Sequence, residues 1–599
     1  MPGITTNYAE PDGSVGERLC EYLKARARGG FGLITVENIG VHPSGRVMPR
    51  MIMGHEDRCI PGLARLASAI RTHGACAIAQ VSHAGRQTKS DITGLPLVFP
   101  SPIPCPINRE MPQALSYDGI RAMEDAFVRS AARLERAGFD GVEIHAAHGY
   151  LVAGFLSRYS NKRDDLYGGS LENRMRFLRN IIDGINASVS GRFLKIVRIS
   201  AEEFVPEGLN VSEAIEIGRL LERQGVAAVS VSVGVYESFN RVSMVSGEPE
   251  GQWLPIAAAV RRGIGIPVIG VGRIKRADVA EKALARGQLD LAAFGRAAVA
   301  DPDLPRKIAS ESRQPIIWCI GCNICLGRRA RPETICPVNP AVGRETSFAF
   351  RKAARPRNVV IAGSSFSALT AAWIASANGH SVTVCEPTGR LGGMQAWRAR
   401  VPGQEEYGEG IAALAARARR AGTKIKLGLP TNNSAELSWA VRRFEPALRD
   451  ARRPPHALTS YDILSGRCSI APGRTIVVYG DDLSAAEAAI VLAQQGYRVT
   501  LYSPAADIAV DAHPGYRDVS RRALAAMGAT IEFGIAELPM TDAALVCGRA
   551  PDVGYESAAA WITETQPAGV DAWLDDAYEP GAMTRGIYAA VDIAFAIAR

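Results

Sequence analysis

The feature that most constrains this chain is an alternation of short apolar runs with longer amphipathic segments over its first 300 residues. The runs are Gly32-Leu-Ile-Thr-Val-Glu37, Ala75-Cys-Ala-Ile-Ala-Gln80, Gly141-Val-Glu-Ile-His145 and Leu194-Lys-Ile-Val-Arg198. They continue with Ala228-Val-Ser-Val-Ser232, Pro267-Val-Ile-Gly-Val271 and Leu289-Asp-Leu-Ala-Ala-Phe294. Segments such as Gly119 to Ala137 lie between them, with charges on one face and Ala, Phe, Val and Leu on the other, which is the helical pattern. Strand–helix alternation argues a parallel sheet, and seven repeats over roughly 250 residues predict an α/β fold of the (β/α)8 TIM barrel type. The barrel is expected over residues 1–312. Its first strand should precede Gly32, where only Met1 to Thr5 is available, so that strand is expected to be cut short.

Beyond the barrel, a cysteine-bearing segment is expected over residues 313–345 and a Rossmann-like nucleotide-binding region over 346–599. Pro337 to Arg357 is rich in Pro and Arg and reads as a linker. Asn358-Val-Val-Ile-Ala-Gly363, a helical stretch and Ser381-Val-Thr-Val-Cys-Glu386 form one βαβ pattern. A second, at about 473–540, begins Thr475-Ile-Val-Val-Tyr-Gly480 and passes through a helix to Tyr497-Arg-Val-Thr-Leu501. Asn432 to Pro455 is Arg-rich and carries no clear pattern.

With 599 residues, two or three cores are needed. A formal charge of +8 is small at this length, and no dense basic block suggests a nucleic-acid partner. No apolar stretch approaches the 18 or so residues of a spanning helix. Met1 to Glu10 has neither the basic start nor the apolar core of a signal peptide, so no membrane role is expected. Four of the 11 cysteines crowd between Cys319 and Cys336, which suits a metal site in a reducing, cytoplasmic compartment.

Those four, Cys319-x-x-Cys322-x-x-Cys325 and then Cys336-Pro337, can ligate zinc or a 4Fe-4S cluster. Closed zinc sites usually bring two separated pairs. Three close cysteines with a distant fourth favour the cluster. The second chemical signal is His145-Ala-Ala-His148-Gly-Tyr150, directly after a strand, where catalytic groups of a barrel gather. Two imidazoles on one carbonyl oxygen can polarise it, and a nearby phenol can supply a proton.

Several motifs together resemble the old yellow enzyme family. They are Ile4-Thr-Thr-Asn-Tyr-Ala-Glu10, Gln80-Val-Ser-His-Ala-Gly-Arg86, Gly141 to Tyr150, Asn161 to Arg174, Gly270-Val-Gly-Arg273 and Gly295-Arg296. Together with Cys319-Ile-Gly-Cys-Asn-Ile-Cys325, they resemble the iron–sulfur branch containing 2-enoate reductase, 2,4-dienoyl-CoA reductase and trimethylamine dehydrogenase. The resemblance is dense to about residue 345 and weaker beyond, where Asp576 to Ala582 resembles a closing flavin-domain motif. It implies FMN held by Gln80 at the pyrimidine edge and by Arg198 near N1–C2. The phosphate would lie on the amides around Gly272-Arg273 and Gly295-Arg296. Pro2 to Thr5 would line the flavin, with Thr5 and Asn38 among the cofactor contacts. His145 and His148 would bind the substrate, and Tyr150 would donate the proton. In the nucleotide-binding region, Gly363, Ser365, Ala368 and Glu386 occupy the dinucleotide fingerprint and imply FAD or ADP.

The departures from the family pattern narrow the reading. Dienoyl-CoA reductases have an acidic residue at His148 and a His at Tyr236, so a dienoyl-CoA substrate is disfavoured. The cysteine spacing matches trimethylamine dehydrogenase, whose cation-binding aromatics are replaced by Asn38 and Arg329. Its flavin-linking cysteine would fall near Ile4, which implies noncovalent FMN. Ser365 replaces the glycine of the fingerprint, and Gly480-Asp-Asp-Leu-Ser484 departs further from an NAD(P)H motif. The leading expectation is NAD(P)H-linked reduction of an activated C=C bond in a small unsaturated carbonyl compound or acid. The second is demethylation of an N-methylated amine or amino acid, with electrons passed to an electron-transfer flavoprotein. The third is an inactive partner subunit. A homo-oligomer is expected.

Overall fold

The computed structural model describes residues 1–309, 314–326, 333–386, 388–428, 440–443, 458–465, 470, 475–535, 544–547 and 572–574. Arg329, the motif from Asp576 to Ala582 and most of Asn432 to Pro455 lie outside the described residues.

All seven apolar runs are strands: β1 (Leu33–Gly40), β2 (Cys76–Ser82), β3 (Gly141–Ala146), β4 (Leu194–Ser200), β5 (Ala228–Ser232), β6 (Val268–Gly270) and β7 (Leu291–Ala292). They pair in that order, every pair parallel, as one curled sheet. β3 and β5 are buried throughout, which is why they read as continuous apolar runs rather than alternating ones. Helices such as Tyr117–Arg136 and Leu171–Ser188 cross between strands, and Ser116 and Ser170 cap their first turns.

The place of the missing first strand is filled by the chain's opening residues. The Met1 amino group donates to Leu33 O at 2.7 Å, and Thr35 N donates to Met1 O at 2.9 Å, extending the ladder beside β1. After β7, a Cβ placed on Gly295 would stand 3.5 Å from Pro2 Cγ and 3.7 Å from Ile4 Cδ1. Residues 1–4 therefore sit between β7 and β1 and close the curl.

Two five-stranded parallel sheets follow. The first orders Lys424–Leu427, Ser381–Glu386, Asn358–Ala362, Ala440–Arg443 and Ala572–Leu574. The second orders Leu458–Thr459, Ala544–Cys547, Thr475–Tyr479, Arg498–Ser503 and Thr530–Phe533. Both βαβ patterns are realised, with helices Phe366–Ala377 and Leu483–Gln494 as crossovers.

The passage expected to be a linker is packed over Pro337 to Glu345 and mostly exposed, without helix or strand, from Thr346 to Arg357. Val338 and Val342 belong to the same apolar cluster as the barrel core, together with Cys322, Cys325, Phe366 and Leu414. Glu345 pairs at 2.7 Å with Arg26, whose side chain is fully buried. Pro and Arg mark the absence of helix and strand here, but the segment seals one domain against the next.

Candidate active site

Parallel strands place every second side chain inside the barrel, and the last inward residues face its C-terminal mouth. Asn38 on β1, Gln80 on β2, His145 on β3, Arg198 on β4 and Ser232 on β5 meet this rule. Register sets Gln80 beside Glu143 and His145 beside Arg198. All of these except Glu143 line one cavity of about 290 Å³, with Pro2 to Thr5, His148, Tyr150, Gly272, Arg273, Gly295 and Arg296. Every residue expected to touch FMN or the substrate in the barrel is thus brought to one place. Thr5 Oγ1 donates to Asn38 Oδ1 at 2.9 Å, tying the opening segment to β1.

The turn after β3 is built to return His148 over the barrel. His148 (φ 60°) and Gly149 (φ 76°) both lie in the left-handed region, costly for a histidine. The cost is offset by anchoring: His148 N donates to Ser200 Oγ at 2.9 Å, and Ser200 Oγ donates to Gly234 O at 2.8 Å. His148 Nε2 then lies 2.8 Å from Ser232 Oγ, which also accepts from Arg198 Nη2 at 3.4 Å. The rings of His145 and His148 pack edge to face at 5.2 Å, and His145 and Tyr150 at 4.8 Å. Burial, reinforced by the Arg198 cation, holds both imidazoles well below the ordinary histidine pKa, so both are neutral. Burial raises the Tyr150 phenol, which stays protonated, and its oxygen lies 3.1 Å from Tyr236 OH.

These residues fit an FMN. Arg198 is buried, yet its Nε has no hydrogen-bond partner among the described residues. Gln80 donates to Glu143 at 2.6 Å, which fixes its amide at the cavity wall. Gly272 has φ +144°, a conformation that favours glycine, so the backbone can approach a phosphate closely there. Arg273 lines the cavity, and its guanidinium pairs with Glu406, far along the chain. Arg296 Nη1 donates to Met244 O at 2.6 Å and to Asn323 Oδ1.

The four cysteines adjoin this cavity, which Cys319 itself lines. Cys322, Cys325 and Cys336 are buried. Burial and the neighbouring cysteines raise all three thiols, Cys336 to about 12. Among the described residues no three His, Cys, Asp or Glu side chains are grouped to hold a single metal ion. The charges of the neighbouring cysteines contribute to the raised pKa of all three, which places the four thiols near one another.

The fingerprint residues of the nucleotide-binding region come together differently. Gly363, Ser365 and Ala368 surround the start of helix Phe366–Ala377, with Glu386 at the end of the neighbouring strand. Ser365 Oγ, however, accepts from Ala368 N at 3.2 Å, occupying an amide a pyrophosphate would use. Glu386 accepts from Ser364 Oγ at 2.6 Å and from Thr388 N and Oγ1 at 3.0 and 2.8 Å. In the second unit the Asp482 carboxylate accepts from Ala485 N at 3.1 Å and sets an anion where a pyrophosphate would lie. These side chains take up for themselves the groups a dinucleotide needs.

Ser232, Asn323 and Glu406 were not marked by sequence reasoning. Ser232 follows Ser230 at the inward spacing of two, a signal that could have been read. Glu406 had none, because its partner Arg273 is more than a hundred residues away.

Comparison with known proteins agrees with this geometry. The profile of the NADH:flavin oxidoreductase / NADH oxidase family matches residues 1–314. An NADH oxidase of Thermoanaerobacter brockii is 36% identical over 530 residues, 86% of this chain and 81% of that protein. An N,N-dimethylglycine/sarcosine dehydrogenase of Chromohalobacter salexigens is 28% identical, covering 82% of this chain and 75% of its own length. A solved 2-naphthoyl-CoA reductase complex with 2-naphthoyl-CoA superposes with a TM-score of 0.84 at 26% identity, covering 99% of this chain and 96% of that one. With an FMN-type cavity at the mouth of its barrel and a family profile spanning that barrel, the chain belongs to the NADH:flavin oxidoreductase / NADH oxidase family.

Proposed function

We propose that this oxidoreductase reduces an activated C=C bond conjugated to a carbonyl or carboxyl group, with NAD(P)H as the reductant and FMN held noncovalently in the barrel. FMN, when bound, supplies hydride-transfer chemistry; Gln80, Arg198 and the amides around Gly272 and Gly295 would hold it. The observation that carries the reading is the convergence of His145, His148 and Tyr150 on a cavity lined by no carboxylate among the described residues. Neutral imidazoles present N–H groups to a carbonyl oxygen without leaving a fixed charge beside it. They draw electron density toward that oxygen and leave the β-carbon electron-poor. Tyr150, kept protonated by burial, then passes its proton to the α-carbon. Val47, Met48, Phe239 and Val242 add apolar surface to the lining.

Demethylation of an ammonium substrate is the competing reading, supported by the cysteine spacing. It asks a cationic substrate to sit beside Arg198 with no lining carboxylate to balance it, which costs Coulomb energy in a low-dielectric site. A 4Fe-4S cluster on Cys319, Cys322, Cys325 and Cys336 is part of the proposal. The spacing of the four cysteines, the burial of three of them and the position of Cys319 at the cavity support it. No step is drawn through FAD or ADP in the nucleotide-binding region, because Ser365 and Glu386 are already engaged.

The test is an anaerobic titration of the purified protein followed by flavin absorbance. NADH or NADPH should bleach the flavin, and an unsaturated acid or enone should restore the colour. Bleaching by N-methylated amino acids but by neither nucleotide would replace this reading with the demethylating one. Zinc in place of iron in the metal analysis would remove the cluster.

A further inference from the structure

Asn323 stands between Cys322 and Cys325, buried, with its backbone at φ +58°. Its side chain is the meeting point of three parts of the molecule. Oδ1 accepts from Arg296 Nη1 at the end of the barrel. Nδ2 donates to Ser243 O at 2.9 Å, in the loop whose next residue, Met244, accepts from the same Arg296 Nη1 at 2.6 Å. Nδ2 also lies 3.4 Å from His513 Nε2, and His513 caps helix Pro514–Ala526 of the second βαβ unit. Both Arg296 bonds use Nη1, which leaves the rest of the guanidinium for a ligand in the cavity that Arg296 lines.

We propose that Asn323 is a positioning residue through which the cysteine segment sets the Arg296 guanidinium, so that cluster assembly and FMN retention are thermodynamically linked. The proposal rests on the reading above, in which the FMN phosphate lies at Gly295-Arg296. A residue flanked by two ligating cysteines cannot move independently of them. When Cys322 and Cys325 are fixed on a common group, the left-handed backbone at Asn323 is fixed as well, and Oδ1 holds Arg296 ready for the phosphate. Without that group the segment is released, and FMN binding must pay to order Arg296 itself. Linkage is reciprocal, so bound FMN must stabilise the loaded cysteine segment by the same factor.

The experiment measures FMN dissociation constants by fluorescence quenching on the deflavinated full chain. Iron-loaded and iron-stripped forms are compared for wild type, Asn323→Ala and Arg296→Ala. A hydrogen bond to a charged group sets the expected size: the loaded wild type should bind FMN about tenfold more tightly than the stripped form. N323A, still holding iron, should bind like stripped wild type, and stripping it should change little more. Equal affinities of loaded and stripped wild type, or an undiminished gap in N323A, would overturn the link. If R296A leaves FMN affinity unchanged, the phosphate placement itself is wrong, which is a separate failure. Should N323A lose its iron, Asn323→Asp decides, since its carboxylate still accepts from Arg296. N323D should then bind FMN more tightly than N323A, and equal affinities would sink the proposal.

Discussion

Two buried charged residues at motif positions, Arg198 at the barrel mouth and Glu386 in the first nucleotide-binding unit, stand in opposite situations. At the barrel, Arg198 is buried with an Nε that has no partner among the described residues, at the wall of a cavity. In the nucleotide-binding unit, Glu386 is 1% exposed and both its oxygens are taken, by Ser364 and Thr388. An unpaired buried polar atom costs roughly 1–3 kcal/mol, a cost that a ligand meeting that atom removes. A site that keeps such an atom is built to be completed from outside. One that has satisfied its own donors and acceptors gains little from a ligand. Both regions carry motifs that read as cofactor sites, and the pairing of these two motif residues differs between them.

The largest expected effect lies at the reacting end of the barrel. Tyr150→Phe should lower turnover of an enone or unsaturated acid by about 10²–10⁴-fold while leaving FMN content unchanged, since the phenol gives a proton and holds no cofactor. Tyr236→Phe, which removes only the 3.1 Å partner of that phenol, should cost far less. Steady-state kinetics on both variants checks this, and a Y150F rate within threefold of wild type would mean the proton comes from elsewhere. Next in size is Arg198→Ala. Losing a charge-assisted hydrogen bond should weaken FMN binding by roughly ten- to a hundredfold, measured as flavin retained after gel filtration and by fluorescence titration. An unchanged FMN content would show that the unpaired Nε is not awaiting the flavin, and the contrast between the regions would lose its main support.

How far the sequence reached follows the same division. The seven strands were legible because a parallel sheet buried on both faces writes itself as apolar runs. His145, His148, Tyr150, Gln80 and Arg198 were legible because a barrel gathers its functional side chains at the ends of those runs. Of the passage read as a linker, Pro337 to Arg357, the first part is packed instead. Its partners, Arg26 and the barrel core, lie some three hundred residues upstream and leave no local pattern. The amides around Gly272-Arg273 were expected at the phosphate from the glycine motif, while the pairing of the Arg273 guanidinium with Glu406 left no local signal. Local motifs thus predicted where backbone and strands go. They did not predict which distant side chain had already paired with a motif residue.

A third test compares two buried carboxylates. Glu203, also 1% exposed, accepts from Ser157 Oγ at 2.5 Å and Leu209 N at 2.9 Å with Oε2, and leaves Oε1 without a partner. Burial outweighs those bonds and raises its pKa to about 7, from an ordinary 4.5. A folded-state pKa raised in this way contributes stability that is full below pH 4.5 and lost as pH rises through 7. Glu203→Gln keeps an oxygen for both donors and removes the titration. Its advantage over wild type should therefore grow between pH 5 and pH 8, to about 2–3 kcal/mol at most. Denaturant unfolding at the two pH values measures it. A difference that does not change with pH would mean that Glu203 does not titrate in this range.

The smallest effect is expected at Glu386, and its smallness is the point. A glutamine there can keep its carbonyl oxygen on Thr388 N and Oγ1, while its amide can only donate to Ser364 Oγ, which already accepts from Gly392 N, so one hydrogen bond of the network is lost. Glu386→Gln should leave FMN content, turnover and any adenine nucleotide released on denaturation unchanged within about twofold, because the carboxylate serves the fold of this unit and the one lost bond, from Ser364 Oγ, is internal to it. Chromatography of the released nucleotides provides the measurement. If E386Q instead lost FAD or ADP tenfold relative to wild type, Glu386 would have to leave Ser364 and Thr388 to grip a ribose. A motif that has satisfied itself would then still be a working site, and internal pairing would no longer separate the two regions of this chain.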